Sequence, residues 1–441
     1  MTTSYTDIQR LFEQRKNNPL FNTSYPLSPD DWAKYLTPGT LPFDPSKPIA
    51  FYLHIPFCCQ ICSFCEYTKM CTPEKEKQRN YLEALDMEFN RFIDCYPNMK
   101  IYGFDIGGGT PTSLDASIFC QLMSMFEEGF VVDKMVTSDY EPSIEGSFET
   151  LVEDCWGPHK SYYIAKAGFK RLSLGVQSTA EDVLSPLHRN NISVSKMGKA
   201  IEEWHRLGIS KINLDLMYGL PGQTIEMIKK DIEVIRDLNP EQVTVYEFRT
   251  NQLRTNYRPD LDRCFNQYCE LFNGLLRLGY YGEFGRNTFS RDPYDCGLSS
   301  YLRHRMFDGW QYKGFGISAQ SMSPFGISYN IGKNESVGKL LDQDWLINNG
   351  YSYEASTYYQ LPCQELLNKF IAISGYSGGF SLSAAKNIYG NDFDARYNTI
   401  VRFLINENLI TIQGDRLQLT ETGFRHYGSV LSLFYSLDNH L

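Results

Sequence analysis

From residue 49 to residue 248 two hydrophobic patterns take turns along the chain. Short runs of β-branched and aromatic residues alternate with longer stretches whose apolar residues recur at helical spacing. IAFYLHI (49–55), KIYGFDI (100–106), MVTSDYE (135–141), KRLSLGVQ (170–177), KINLDLMYG (211–219) and EQVTVYEF (241–248) read as six strands. Helices are predicted between them, over 73–96, 117–130, 160–167, 194–207 and 225–238. In the first of these, Tyr81, Leu82, Leu85, Met87, Phe89 and Phe92 mostly keep the 3.6-residue period. Strands recurring roughly every 30 to 50 residues, with helices between, are βα units. Six of them with apolar centres predict a parallel sheet covered on both faces. The fold class is α/β, a complete or partial parallel (β/α) barrel, with its chemistry at the C-terminal strand ends.

The flanks read differently. Residues 1–48 are polar and Pro-rich, and form either a loosely packed arm or an arm folded over the next domain. The barrel domain is assigned to 49–285, closing with a helix over 260–280. The stretch 281–345, rich in Gly, Tyr and Ser, reads as irregular, and 286–359 is taken as a substrate-side segment. A small module is expected over 360–441. Three helical runs, CQELLNKFIAI, SLSAAKNIY and DFDARYNTIVRFLINEN, precede LITIQGDRLQLT, a hairpin with a Gly-Asp turn. With a last helix from Glu421, this order resembles a winged helix.

Composition narrows the function. The 441 residues carry a net charge of −10, which argues against a nucleic-acid backbone as partner and for a packing or substrate-covering role of the winged-helix-like module. No apolar run approaches the roughly 20 residues that span a bilayer. The first residues, MTTSYTDIQRLFEQRKNN, lack the apolar stretch of a secretory signal. Twelve Cys in such a chain point to reduced thiols and a cytoplasmic location.

The most specific signal is HIPFCCQICSFCEY, which sets Cys58, Cys62 and Cys65 in C-x3-C-x2-C spacing directly after a strand. Structural zinc sites take four ligands, usually in two paired knuckles. No second C-x2-C pair exists here, and the remaining Cys are scattered. Three thiolates on a four-iron cluster leave one iron open, whereas simple electron carriers use four. Cys59 should point away from Cys58 and reads as structural.

YLHIPFCCQICSFC, GGGTPT, RLSLGVQS and DLMYGLPGQT, in that order, closely resemble the radical S-adenosylmethionine (SAM) enzymes. Within these, the chain resembles the oxygen-independent coproporphyrinogen III oxidase family, which also holds haem chaperones and class C methyltransferases. The resemblance covers about residues 49–330. It implies a [4Fe–4S] cluster on Cys58, Cys62 and Cys65, and one or two SAM molecules. It also implies a 5′-deoxyadenosyl radical, an electron donor such as flavodoxin or ferredoxin, a small-molecule substrate and a monomer. Gly108, Gly109 and Thr110, with Gly107, match the segment at the methionine amino group, and Glu141 is expected to accept from the same ammonium. Gln177 and Asp215 match the ribose ligands, and Arg189 the arginine for the carboxylate. Tyr52 lies near the cofactor, with His54 on the same strand face, and Phe64 near adenine. Gly219, Pro221 and Gly222 make a βα turn.

Departures from the pattern matter for the substrate. Coproporphyrinogen oxidases carry a further Cys two residues after the third cluster ligand, where this chain has Tyr67. Arg249 and Arg254 are unusual, and could pair with substrate carboxylates or a second SAM. WQYKGFGISAQSM (310–322) resembles a substrate-side segment. A haem chaperone would need an axial ligand, for which His304 and His426 are candidates. A zinc protein would leave the glycine, Gln177 and Asp215 motifs unexplained.

Overall fold

The computed structural model describes residues 4–16, 25–26, 29–126, 135–152, 159–248, 260–332, 337–375 and 377–435. Six parallel strands form its centre: β1 (Ile49–Ile55), β2 (Ile101–Gly108), β3 (Ser143–Gly146), β4 (Arg171–Gln177), β5 (Lys211–Tyr218) and β6 (Gln242–Glu247). Helices α1 (Lys75–Cys95), α2 (Ala116–Met125), α3 (Lys160–Lys166), α4 (Val194–Arg206), α5 (Ile225–Leu238) and α6 (Leu261–Arg277) lie in the expected places. In α1 the buried stripe is Tyr81, Leu82, Leu85, Phe89 and Phe92, while Met87 faces solvent. No helix among the described residues is long and apolar enough to cross a membrane.

The third strand departs from the reading. It is Ser143–Gly146 and not 135–141, where only Val136 makes an isolated bridge to Ile101. Ser-Ile-Glu-Gly has little strand propensity of its own. Its pairing with β2 on one side and β4 on the other imposes the conformation.

The stretch 281–345, expected to be irregular, instead extends the same sheet. β7 (Thr288–Ser290) pairs antiparallel with β6. Helix α7 (Ser300–Phe307) follows, and then β8 (Tyr312–Phe315) pairs parallel with β1 on its free side. β9 (Gln320–Ser323), β10 (Gly326–Tyr329), β11 (Thr357–Tyr359) and the short strand Leu36–Pro38 continue outward as an antiparallel ladder. The sheet thus holds twelve strands, with the parallel run at its centre.

Side-chain alternation divides the sheet into two chemistries. On β1, Phe51 points to the helical side, where it meets Phe89 and Phe92 edge-on at 5.2 and 5.6 Å. Tyr52 and His54 point the other way. The opposite face therefore carries Tyr52, Asp105, Ser143, Glu145, Arg171, Ser173, Asn213, Asp215, Gln242 and Thr244. A sheet covered on both faces was expected; the helices cover one face, and the other carries these polar side chains. Helix α7 is seated against the polar face. A Cβ on Gly103 would lie 2.5 Å from the Tyr301 backbone nitrogen, and Ser299 Oγ donates to Asp105 at 2.6 Å.

The carboxy-terminal module has helices Cys363–Ser374, Leu382–Tyr389 and Phe393–Asn406 and a three-stranded sheet of Gly379–Ser381, Ile410–Gln413 and Arg416–Leu419. The leader is not a loose arm. Its helix, Tyr5–Arg15, packs on that module, with Tyr5 and Phe12 on Phe403 and Arg15 donating to Ser432 O at 2.8 Å. Trp32, also from the leader, is buried and donates to Glu365.

Substituting Gly103→Ala should force α7 off β2 and cost about 1–3 kcal/mol. Urea denaturation measures this, and an unchanged midpoint would mean that the helix is not seated there.

Candidate functional site

The loop after β1 is tied at its stem. Phe57–Cys58 pairs with Met70–Cys71, and Gly109 N and Thr110 N donate to Ile55 O and Phe57 O at 2.8 and 2.7 Å. This fastens the glycine segment to the cysteine loop. Cys58 and Cys62 are buried and Cys65 is half-buried. Burial pushes the Cys58 thiol up to about 11, and Cys62 and Cys65 lie close enough to push it further. Thr110 Oγ1 donates to Cys58 Sγ at 3.8 Å, and Arg189 Nη1 to Cys62 Sγ at the same distance. Lys69 closes the loop by donating to Cys65 O. Cys59 faces outward, beside Lys160, Thr72 and Glu149. Among the described residues no three His, Cys, Asp or Glu side chains converge as a single metal ion would need.

The glycines leave no room for side chains. A Cβ on Gly107 would stand 2.7 Å from the Glu145 carboxyl, one on Gly108 2.5 Å from His54 Nδ1, and one on Gly109 2.9 Å from Cys58 Sγ. Gly108 also takes φ +117°, which favours glycine. Its N–H donates to Glu145 Oε2 at 3.1 Å.

Glu145, not Glu141, therefore stands at the glycine segment. Glu141 lies before the true third strand, and Lys211, at the opposite end of β5, donates to its carboxylate at 2.7 Å. The reading missed Glu145 because it placed the strand too early. The signal that finds it is the two-residue period: Glu145 is two residues beyond Ser143, facing the same side.

At the end of β4, Gln177 takes the left-handed conformation at φ +67°. Gly175 lets two side chains converge: its Cβ would meet Gln177 Nε2 at 2.7 Å and Arg189 Nη2 at 3.1 Å. Arg189 donates to Gly175 O, and its Nε is buried without a partner. On β5, Asp215 accepts from Asn213 at 2.8 Å, and Thr244 donates to Asn213 in turn. Burial pushes Glu145 up to about 7 and Asp215 up to about 6, while Arg171 draws both down. Tyr246, which the sequence reading passed over, is near enough for both carboxylates to raise its phenol.

His54 Nε2 faces Thr68 O at 3.0 Å, so that nitrogen carries the proton. Nδ1 is left to accept from Tyr52 Oη at 3.3 Å. Burial pushes the imidazole down to about 4, keeping it neutral. Phe64 packs with Cys62, Val183, Leu187, Met217, Leu220 and Phe248 in an apolar cluster apart from the main core. Gly219 and Gly222 turn at φ +78° and +76°, and Arg263 ties the turn by donating to Gly219 O and Leu220 O. Tyr67, 66% exposed, lies within electrostatic reach of Tyr52 and Tyr246. Both nitrogens of His304 are held by carboxylates, Asp308 at 2.5 Å and Asp139 at 2.6 Å. His426 Nδ1 is bound to Lys16 O. Arg249 and Arg254 lie outside the described residues.

The radical SAM superfamily model matches residues 52–235, which bracket the cysteine loop, the glycines, Glu145, Gln177, Arg189 and Asp215. Over that stretch, less than half of the chain, the sequence is similar to the radical SAM superfamily. The chain is 25% identical over 406 residues to the heme chaperone HemW of Haemophilus influenzae, covering 88% of this chain and 98% of that one. It is 27% identical over 320 residues to the oxygen-independent coproporphyrinogen III oxidase of Escherichia coli, covering 68% and 67%. The solved coproporphyrinogen III oxidase (HemN) of Escherichia coli shares the fold, with a TM-score of 0.71 over 89% of this chain and 91% of that one, at 22% identity.

The Glu145 titration has a definite sign. Its carboxyl stays protonated in the native state up to about pH 7, while an unfolded glutamate ionises near 4.5. The stability it contributes is complete below the lower value and is lost as pH rises through the upper one. Relative to the wild type, Glu145→Gln should therefore gain on the order of 2 kcal/mol between pH 4.5 and 7.5 in the cofactor-free chain. Urea unfolding at both pH values checks this, and parallel curves would refute it.

Proposed function

We propose that this protein is a radical SAM enzyme acting on a tetrapyrrole-like or natural-product small molecule. The observation that carries the proposal is the convergence of one thiol loop, a glycine segment with no space for a Cβ, and four polar side chains from successive strand ends and the loop after β4. These residues fit the implied groups. Three neighbouring cysteines suit a cluster with one open iron, and the buried, unpartnered Nε of Arg189 suits an incoming carboxylate.

In this reading Cys58, Cys62 and Cys65 hold the cluster. Glu145 takes the role expected of Glu141 and accepts from the SAM ammonium, beside Gly108, Gly109 and Thr110. Arg189 takes the carboxylate, and Gln177 and Asp215 the ribose hydroxyls. Phe64 belongs to the wall on the adenine side. Tyr52 is oriented by neutral His54. A [4Fe–4S] cluster held by these three cysteines would supply the electron for reductive cleavage of SAM to methionine and a 5′-deoxyadenosyl radical. A flavodoxin or ferredoxin is the class of donor that would reduce it.

Tyr67 stands where coproporphyrinogen oxidases carry a further Cys, which argues against decarboxylation of coproporphyrinogen. Methyl transfer is the second enzymatic reading, which two SAM molecules bound together would favour. The haem-chaperone reading draws on the length of the match to HemW relatives. His304 does not support it, because carboxylates hold both of its nitrogens, whereas the bond of His426 Nδ1 to Lys16 O leaves that residue a candidate ligand through its other nitrogen.

Anaerobic reconstitution with iron and sulfide, then dithionite and SAM, should yield 5′-deoxyadenosine and methionine. Stoichiometric haem binding without 5′-deoxyadenosine would sink the enzyme reading. Cys62→Ala should lose the brown chromophore and the product together, and full iron content in that variant would overturn the ligand assignment.

A further inference from the structure

Beside Tyr52, on the β8 side of the polar face, one cation lacks a counter-charge among the described residues. Arg305 stands on the last turn of α7. Its Nη1 donates to Tyr301 Oη at 2.7 Å and its Nη2 to Gln320 Oε1 at 3.2 Å. Its guanidinium carbon lies 4.4 Å from the ring centroid of Tyr312. Gln320 Oε1 also accepts from Tyr312 Oη at 2.8 Å, so the cradle is fixed from two strands. Every one of these partners is neutral, since burial raises the phenols of Tyr301 and Tyr312. The Nε atom is buried and has no partner. Neighbouring Arg303, by contrast, is paired with Asp139.

A desolvated cation costs several kcal/mol unless an anion or good hydrogen bonds compensate. Ring stacking and two bonds to neutral oxygens return part of that. The planar fork with an unused N–H matches a carboxylate in shape and charge. The cradle also lies beside the site. Tyr301 stacks on Tyr52 at 5.9 Å and 23°, and Tyr67 of the cysteine loop lies within electrostatic reach of both Arg305 and Tyr52.

We propose that Arg305 is the substrate-reading residue of the site. It binds the carboxylate of a flat, aromatic or conjugated substrate whose plane lies among Tyr52, Tyr67 and Tyr301. The proposal rests on the radical SAM reading and narrows its substrate class to carboxylate-bearing rings. Arg305 is distinct from Arg189, which the same reading commits to the SAM carboxylate.

The test uses benzoate and its neutral isostere benzamide, titrated calorimetrically into the cluster-loaded chain saturated with SAM. Benzoate should bind in the millimolar range, at least about tenfold more tightly than benzamide. Arg305→Lys should weaken benzoate and Arg305→Met should remove the preference, with iron content unchanged in both. Equal binding of the two probes by the wild type, or no binding of benzoate, overturns the proposal without reliance on a variant that folds. A benzoate preference that survives Arg305→Met overturns it too. Absence of 5′-deoxyadenosine from the wild type counts against the radical reading alone, because the benzoate comparison involves no turnover.

Discussion

One buried guanidinium holds the polar face of the sheet together. Arg171 donates Nε to Gln242 at 2.8 Å and Nη1 to Ser143 at 2.9 Å, bridging two strands on opposite sides of its own. Its charge also lowers the pKa of Asp105, Glu145 and Asp215, three carboxyls that burial drives upward. A set of three buried acids around one cation cannot be fully ionised at low cost. The set therefore shares protons. The helical face supplies the hydrophobic cohesion that makes this arrangement affordable.

Much of this was legible in the sequence, for a physical reason. Where a strand is long and flanked by amphipathic helices, as at 49–55, 170–177 or 211–219, local pattern and tertiary pairing agree. The C-x3-C-x2-C loop and the glycine run announce themselves because sterics and ligation admit few substitutes. Glu145 was hidden because its strand has four residues and exists only through its two neighbours. The apolar-centred reading of the strands was half right. Phe51 and Leu53 face the helices, but Tyr52 and His54 alternate with them and belong to the other side.

The region after α6 was illegible for a different reason. β7 to β11 are three or four residues long, and the pairings that anchor them to the central sheet, β7 on β6 and β8 on β1, join segments far apart in the chain. Tyr312 pairs with Ala50, and Tyr301 stacks on Tyr52, contacts that no window on the sequence joins. Arg305 looks like one more surface charge in SYLRHRMF until α7 is placed against Gly103. The leader helix was the avoidable miss. Ser4 accepts from Asp7 N as its cap, and Ile8, Leu11 and Phe12 recur on one side.

That leader helix ties the order of synthesis to the order of assembly. Arg15 donates to Ser432 O and Ser429 donates to Arg15 O, contacts that span almost the whole polypeptide. Residues 5–15 are translated well before the surface they bind, which lies 417 residues beyond Arg15 at Ser432. Until then the segment travels with an unsatisfied apolar stripe, Ile8, Leu11 and Phe12, while the sheet matures behind it. The docking joins two segments far apart in the chain, so a helix made early is held by a surface made late.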